Sequence, residues 1–178
     1  MQLRKAQIEE FCSVRDFYWN LIDEMQKRKN TVGWKKDIYP TQQFLKESIE
    51  NGNLYVFDGR DGIIASVILN SLWNEGYEGV PWSVDCPRES VLVPHALGVR
   101  ADVQNMGVGE KVVQDIIEIA ELTNKKTIRL DILDGNIAAE RLYTKMGFQF
   151  VRAKDMFYED TGWTKFAMYE LILQVNKA

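Results

Sequence analysis

One stretch in the second half of the sequence combines a strand, a glycine turn and a helix. Apolar residues in Val91–Val99 predict a buried strand, and a helical pattern of apolar residues begins at Val108. Between them, Gln104–Gly109 contains two glycines, which permit a tight turn and leave its backbone amides uncovered by side chains. Amides that converge at a helix N-terminus bind anions, helped by the helix dipole. The stretch therefore predicts a phosphate-binding turn.

The remaining sequence predicts further helices and strands on both sides of this stretch. They are, in chain order, a strand at 3–7, helices at about 9–29 and 41–51, hairpin strands at 54–57 and 63–69 around a turn at 58–62, the central strand, the helix from 108, a strand at 128–132, a short helix from Asn136 to Gly147, and strands at about 148–158 and 164–173. Residues 30–41 are expected to be irregular. The connection 70–89 is either a functional loop or a longer hairpin. We expect one α/β (α+β) domain covering residues 1–178, with a mixed sheet.

Composition excludes several classes of protein. The chain has 178 residues, 46% of them apolar and 27% charged, as in a soluble globular domain. Its net charge of −4, without a basic stripe, argues against nucleic acid and suits a cationic or amine substrate. One histidine and two distant cysteines argue against a metal site. No apolar run approaches membrane-spanning length, and no signal peptide is recognised, so we expect a cytoplasmic protein without membrane contact.

Two common phosphate loops do not fit the glycine turn. A Walker A loop needs a lysine and a hydroxyl residue directly after its last glycine, whereas Gly109 is followed by Glu110-Lys111-Val112. A dinucleotide-binding fold needs a third glycine and lies near the start of its domain. Neither an ATP-type loop nor a Rossmann-type loop is therefore predicted.

A longer pattern is more specific. Val99, followed five residues later by Gln104-x-x-Gly107-x-Gly109 and a helix, resembles the acetyl-CoA signature of the Gcn5-related N-acetyltransferase (GNAT) superfamily. A second motif lies at the distance that the superfamily requires, Asn136-x-Ala138-Ala139-x-x-Leu142-Tyr143-x-x-x-Gly147-Phe148. The order of predicted elements fits as well. The resemblance implies a single-domain GNAT fold, with a twisted sheet of about seven strands, a splayed central pair and about four helices.

The resemblance also implies a set of residues that bind acetyl-CoA as co-substrate, without a metal. The backbone of the central strand would pair with the pantetheine arm, the glycine turn and the start of its helix would bind the pyrophosphate, and Asn136 would bond the pantetheine arm or act as a plain helix cap. These residues are Leu97, Gly98, Val99, Gln104, Asn105, Met106, Gly107, Val108, Gly109, Glu110 and Asn136.

Acetyl transfer to an amine requires a base, a donor to the oxyanion and an acid for the leaving thiolate. Tyr143 lies seven residues after Asn136, where the superfamily places the acid, although it would also suit a helical core face. The Val99 amide is the expected oxyanion donor. The strand segment around His95 resembles serotonin (arylalkylamine) N-acetyltransferases, which implies a water-mediated histidine base. The position of their second histidine, two residues earlier, is a valine here.

More than one interpretation is possible for the catalytic base and for the acceptor. A carboxylate could replace His95 as base; the candidates are Glu75, Asp85 and Glu89. The acceptor is expected to be a small primary amine between aromatic segments, and these contain Trp34, Tyr39, Trp73, Tyr77, Trp82, Tyr158 and Trp163. Acetylation of a peptide or protein amine is the alternative within the class, and a non-catalytic CoA-binding sensor is the alternative outside it. Homodimers are common in the superfamily, so a homodimer is one expected state.

Overall fold

The computed structural model describes residues 2–27 and 33–174. In chain order, its helices and strands are β1 (Arg4–Lys5), α1 (Phe11–Lys27), α2 (Gln42–Glu50), β2 (Leu54–Gly59), β3 (Gly62–Asn70), β4 (Val91–Val99), α3 (Val108–Leu122), β5 (Thr127–Leu133), α4 (Ile137–Lys145), β6 (Gln149–Tyr158) and β7 (Gly162–Ile172). The predicted end of the first helix near residue 29, and the start of the irregular segment after it, lie outside the described residues.

The strands form a seven-stranded mixed sheet in the order β1-β2-β3-β4-β5-β7-β6. β4 and β5 are parallel, as the strand–helix–strand pattern predicted, whereas β5 and β6 each pair with β7 in antiparallel register. The β4–β5 ladder consists of two residue pairs and ends at Leu92, while β5 and β7 pair along the whole of β5. The short ladder is what a splayed central pair requires, and the predicted mixed sheet with four α-helices is confirmed among the described residues.

Contacts along the chain define two compact units. The first contains the residues up to Leu69, His95–Val112 and Glu159–Thr161. Its core joins one face of α1 and α2 to the hairpin β2–β3, because both helices are amphipathic. The side chain of Thr41 accepts a hydrogen bond from the Phe44 amide at 3.0 Å, which caps α2 at the predicted position.

The hairpin differs in detail from its prediction. The predicted turn at 58–62 is shorter, because Asp58 and Gly59 continue β2 and pair with Ile63 and Gly62. A bulge between Phe57 and Asp58 shifts the register, which allows the strand to continue past a residue that usually marks a turn. Local sequence preference favoured the turn, whereas pairing with β3 satisfies the backbone groups of Asp58.

The second unit contains Asn70–Pro94, Val113–Tyr158 and the residues from Gly162. Its connection 70–90 is irregular, with two short 3₁₀ helices, and is not a hairpin. A buried ion pair anchors this connection, since Arg129 Nε lies 2.9 Å from Glu170 Oε1. Glu170 also accepts a hydrogen bond from the Ser83 amide at 2.6 Å, and Arg129 donates to the Val84 carbonyl. The connection is therefore fixed to the sheet beneath it.

Candidate functional site

The glycine turn follows β4 in the first unit with the backbone that its sequence predicted. Asn105 (φ 62°) and Gly107 (φ 83°) adopt the left-handed conformation, which glycine and asparagine tolerate better than other residues. The Gln104 side chain donates a hydrogen bond from Nε2 to the Val99 carbonyl at 2.9 Å. This bond ties the turn to the end of the strand and fixes where its amides point.

The space around Gly107 fits an anionic ligand. A Cβ built on this glycine would have no atom within 4 Å, so the backbone opens onto free space. The Lys111 amide donates to the Gly107 carbonyl at 3.0 Å, and the earlier amides of Val108 and Gly109 have no acceptor within the helix. Amides at the N-terminus of a fifteen-residue helix, beside an open glycine, suit a pyrophosphate group.

The preceding strand has an unusual backbone conformation at Ala96. This residue has a φ of 50° inside β4, which is costly for alanine. The fully buried Tyr18 of α1 stabilises it, since its hydroxyl donates to the Ala96 carbonyl at 2.9 Å. Burial still alternates from His95 to Val99: Ala96 and Gly98 are buried, whereas His95, Leu97 and Val99 are half-buried, as expected for three residues on one face of the strand. Tyr18 itself was recognisable from the sequence only as a core residue of the first helix.

His95 lies at one end of a series of aromatic rings within the first unit. Its ring meets Phe44 edge-on with centroids 6.4 Å apart, and Phe44 stacks against Tyr39 at 6.1 Å. Trp34 lies between Tyr39 and the buried Tyr18, at 6.2 and 6.0 Å respectively. The predicted base and the first predicted aromatic segment therefore belong to one packed group.

Gly98, predicted to bind cofactor through its backbone, also meets a packing requirement. A Cβ on this residue would lie 2.6 Å from Leu21 Cδ2 and 3.3 Å from Phe17 Cε1. The absence of a side chain allows α1 to approach β4 closely.

We expect Gly98→Ala to lower the free energy of unfolding by about 1–3 kcal/mol, since an added methyl group would overpack this contact. Urea unfolding of the two proteins measures the difference. Gly79→Ala separates steric overlap from backbone strain, because a Cβ there would meet no atom within 4 Å while its φ of 68° lies in the left-handed region, unlike Gly98. If Gly98→Ala and wild type have equal free energies of unfolding, α1 shifts away from the added methyl group without an energetic cost.

A cleft of about 500 Å³ lies in the first unit between α1, the start of β3 and the residues after β4. Asp16, Glu24, Asp61 and Asp102 line it, and its one basic lining residue, Arg100, forms a salt bridge with Asp102 at 2.7 Å. None of the predicted site residues lines this cleft, although Asp102 lies two residues before the glycine turn. Its carboxylates make the cleft negatively charged.

The second motif lies in the second unit and forms the predicted short helix. Asn136 caps α4, because its side-chain oxygen accepts a hydrogen bond from the Ala139 amide at 3.3 Å. Tyr143 is the buried residue of this helix, with an edge-to-face contact to Phe148 at 5.1 Å. Burial raises the pKa of Tyr143 well above its usual range, and the negative charge of Asp131 raises it further. The hydroxyl therefore stays protonated at neutral pH and can donate a proton or a hydrogen bond.

Sequence reasoning missed the carboxylate at the centre of the second unit. Asp131 Oδ1 accepts a hydrogen bond from the Tyr77 hydroxyl at 2.7 Å, and Oδ2 accepts one from Tyr158 at 3.1 Å. Its place in an alternating strand suggested a solvent-facing polar residue, whereas it is half-buried and hydrogen-bonded to both tyrosines. The alternative bases Glu75, Asp85 and Glu89 are all exposed. Trp163, also predicted at the acceptor site, is 76% exposed and contacts Phe157.

The raised pKa of Asp131 predicts a pH-dependent stability. Burial raises this pKa more than the hydrogen bonds from Tyr77 and Tyr158 lower it. Between the ordinary aspartate value of about 4 and the raised value, the folded chain holds a proton that the unfolded chain has released. The free energy of unfolding contributed by Asp131 therefore falls as the pH rises through this window.

Asp131→Asn should remove the pH-dependent contribution of Asp131 to the free energy of unfolding. The variant should therefore gain stability relative to wild type as the pH rises from 4 towards neutrality. Urea unfolding across that range measures the difference. Asp155→Asn, at an exposed position on β6, is the matched control. A wild-type-to-variant difference that stays constant with pH would contradict the assignment.

Metal-binding clusters and membrane-length helices are both absent from the described residues. No group of three or more histidine, cysteine, aspartate or glutamate side chains is arranged to bind a metal in that part of the chain. Nor does any helix within it have the length and apolar character needed to cross a membrane.

Comparison with known protein sequences identifies relatives of one kind. The model of the acetyltransferase (GNAT) family matches residues 19–148. The uncharacterized N-acetyltransferase YesJ of Bacillus subtilis (strain 168) is 30% identical over 106 residues, which are 60% of this chain and 58% of YesJ. Spermine/spermidine N(1)-acetyltransferase of the same strain is 46% identical over 48 residues, 26% of this chain and 32% of that protein. The chain therefore aligns with about half or less of these relatives.

Solved structures share the fold along nearly the whole chain. A GNAT-family acetyltransferase from Streptococcus agalactiae 2603 superposes with a TM-score of 0.80 and 19% identity, over 97% of this chain and 95% of that chain. The yncA protein of Salmonella typhimurium, solved with its cofactor acetyl-CoA, gives a TM-score of 0.73 and 16% identity, over 100% and 96%. With a family model that matches most of its length, this chain belongs to the acetyltransferase (GNAT) family.

Proposed function

We propose that this protein transfers an acetyl group from acetyl-CoA to a small primary amine. The observation that carries the proposal is the open, left-handed Gly107 at the start of α3, in the position of the family's cofactor motif. The relatives support it, since YesJ is named as an N-acetyltransferase and the yncA structure contains acetyl-CoA. When bound, acetyl-CoA supplies an acetyl group activated as a thioester.

Backbone groups perform most of the cofactor binding in this proposal. Amides of the turn and the start of α3 bind the pyrophosphate, and the end of β4 pairs with the pantetheine arm. Asn136 contributes a polar group to that arm in addition to capping α4. The residues in these roles are Leu97, Gly98, Val99, Gln104, Asn105, Met106, Gly107, Val108, Gly109, Glu110 and Asn136.

Two further groups handle charge and proton transfer at the thioester. The Val99 amide donates a hydrogen bond to the acetyl oxygen as negative charge develops on it. Tyr143 donates its proton to the departing thiolate, and a tyrosine with a raised pKa is fully protonated for that step. The amine attacks directly, so no acyl-enzyme forms.

His95 is the proposed base, and it takes the proton of the amine through water. An imidazole ionises near neutral pH, which suits a base at physiological pH. The resemblance of this strand to serotonin N-acetyltransferases motivates the assignment. The carboxylates Glu75, Asp85 and Glu89 are the alternative bases, and their exposure makes them weaker candidates.

His95→Ala should lower kcat/KM about 10²–10⁴-fold and remove an ionisation near neutral pH from the rate profile. Steady-state rates across pH 5–9 test both effects. An unchanged profile in a folded variant would transfer the role to a carboxylate.

A small amine is the favoured acceptor. The net charge of −4 suits a cationic substrate, and one relative is named as a spermine/spermidine N(1)-acetyltransferase. A cytoplasmic location and a homodimer complete the proposal.

Calorimetry with acetyl-CoA, followed by CoA release over a panel of amines and a peptide amine, tests this function. Binding together with release on a small amine supports it, and release only with the peptide would support a protein acetyltransferase. Binding without release would favour a CoA-binding sensor. Undetectable acetyl-CoA binding would refute the central claim.

A further inference from the structure

Three separate segments of the second unit converge on the Asp131 carboxylate. Asp131 lies in β5, Tyr77 in a 3₁₀ helix of the long connection, and Tyr158 at the end of β6. The two tyrosine hydroxyls bond different carboxylate oxygens, at 2.7 and 3.1 Å. An ionised carboxylate offers about four acceptor positions, and the two tyrosines together with the residue's own backbone amide leave one available. Asp131 is half-buried, and a ligand can therefore reach it.

No cation balances this carboxylate within the described residues. Asp131 forms no salt bridge with a described lysine or arginine: Arg129 of the same strand pairs with Glu170, and Lys154 and Arg88 donate to backbone carbonyls. Withdrawing a carboxylate from water without a countercharge is costly. A cationic ligand would supply the missing charge.

Aromatic rings pack against both tyrosines that bond Asp131. Trp73 stacks on Tyr77 with an interplanar angle of 7°, and Trp82 lies 5.3 Å from Tyr77. Tyr158 packs edge-to-face on Phe166 at 4.9 Å. Ring faces attract ammonium groups, most strongly where water is partly excluded. A carboxylate among such rings recognises an organic cation better than a hydrated metal ion.

We propose that Asp131, with Tyr77 and Tyr158, binds a second cationic group of the acceptor, so that the preferred acceptor is a diamine or polyamine. This inference rests on the proposed acetyl transfer. A neighbouring carboxylate favours the charged form of an ammonium group, whereas the nitrogen that is acetylated must first lose a proton. The nitrogen held by Asp131 is therefore the one that stays charged.

Putrescine and butylamine are matched probes, since they share a four-carbon chain and differ in the second amine. Calorimetry should show that Asp131→Asn weakens putrescine binding at least about tenfold and leaves butylamine binding within about twofold. Asparagine keeps the size of the side chain and one acceptor oxygen, so the fold should persist. Asp155→Asn, an exposed carboxylate in the same unit, should bind both amines as wild type does.

Acetylation rates separate this inference from the function on which it rests. Asp131→Asn should raise KM for putrescine at least about tenfold, with KM for acetyl-CoA unchanged. Equal losses for both amines would place Asp131 at the reacting nitrogen and overturn the inference, as would unchanged putrescine binding in a folded variant. If the wild-type protein binds putrescine through Asp131 but transfers no acetyl group, the proposed function is refuted. The inference that Asp131 binds a cation is then still supported.

Discussion

Gly107→Val is expected to weaken acetyl-CoA binding by about 100-fold or more, equivalent to about 2.7 kcal/mol. Two effects combine at this position. The φ of 83° is unfavourable for a β-branched residue, and the valine side chain would enter the open space beside the first amides of α3. Any rearrangement that relieves the strain would turn those amides away from the pyrophosphate. Calorimetry with acetyl-CoA measures the loss.

Gly79→Val is the matched control for backbone strain. Gly79 also has a positive φ, of 68°, and open space around its Cβ position, but it lies in the long connection of the second unit. Both variants should lose similar stability, and only Gly107→Val should lose affinity for the cofactor. Retained affinity in a folded Gly107→Val protein would mean that the turn does not bind the pyrophosphate.

The second large effect is expected at Tyr143. Tyr143→Phe should lower kcat about 10²–10⁴-fold, with nearly unchanged affinity for acetyl-CoA. The substitution removes one hydroxyl and keeps the ring that contacts Phe148, so the packing of α4 is preserved. Without the proton donor, the thiolate must leave with its full negative charge. Single-turnover rates and calorimetry separate the chemical step from binding.

Tyr169→Phe serves as the control for loss of a tyrosine hydroxyl in the same unit. Tyr169 is also buried and packs edge-to-face on Phe150. It should turn over at the wild-type rate. Wild-type turnover in Tyr143→Phe as well would assign Tyr143 to the core. A fall in kcat with an equal fall in acetyl-CoA affinity would instead indicate a binding role.

The backbone of the glycine turn and the ends of α4 were largely predictable because they depend on local geometry. Gly107 and the helix that begins at Val108 follow from turn chemistry and apolar periodicity, and the structure has the turn and helix where they were expected. Asn136 likewise caps α4, and Gly147 has the left-handed backbone predicted for the residue that ends it. Such features involve residues a few positions apart, so the sequence contains the information directly.

The features that the sequence did not predict depend on distant contacts. The left-handed backbone of Ala96 is bonded by Tyr18, which lies 78 positions earlier, and no local pattern predicts it. The sequence pattern made Asp131 resemble a solvent-facing strand residue. In the structure, the hydroxyls of Tyr77 and Tyr158 donate hydrogen bonds to it. Arg129, in the same strand, is buried by its pairing with Glu170.

The sequence by itself determined the order of helices and strands, the glycine turn and the family's two motifs. Hydrogen bonds within a turn or helix and apolar periodicity act over a few residues, which makes them readable from the chain. Only the tertiary structure decided that α1 requires a glycine at position 98, that Ala96 in β4 has a positive φ, and that two tyrosines bond a carboxylate in β5. Burial and charge balance at these three positions depend on which distant segments of the chain come into contact. The packing of the core determines those contacts.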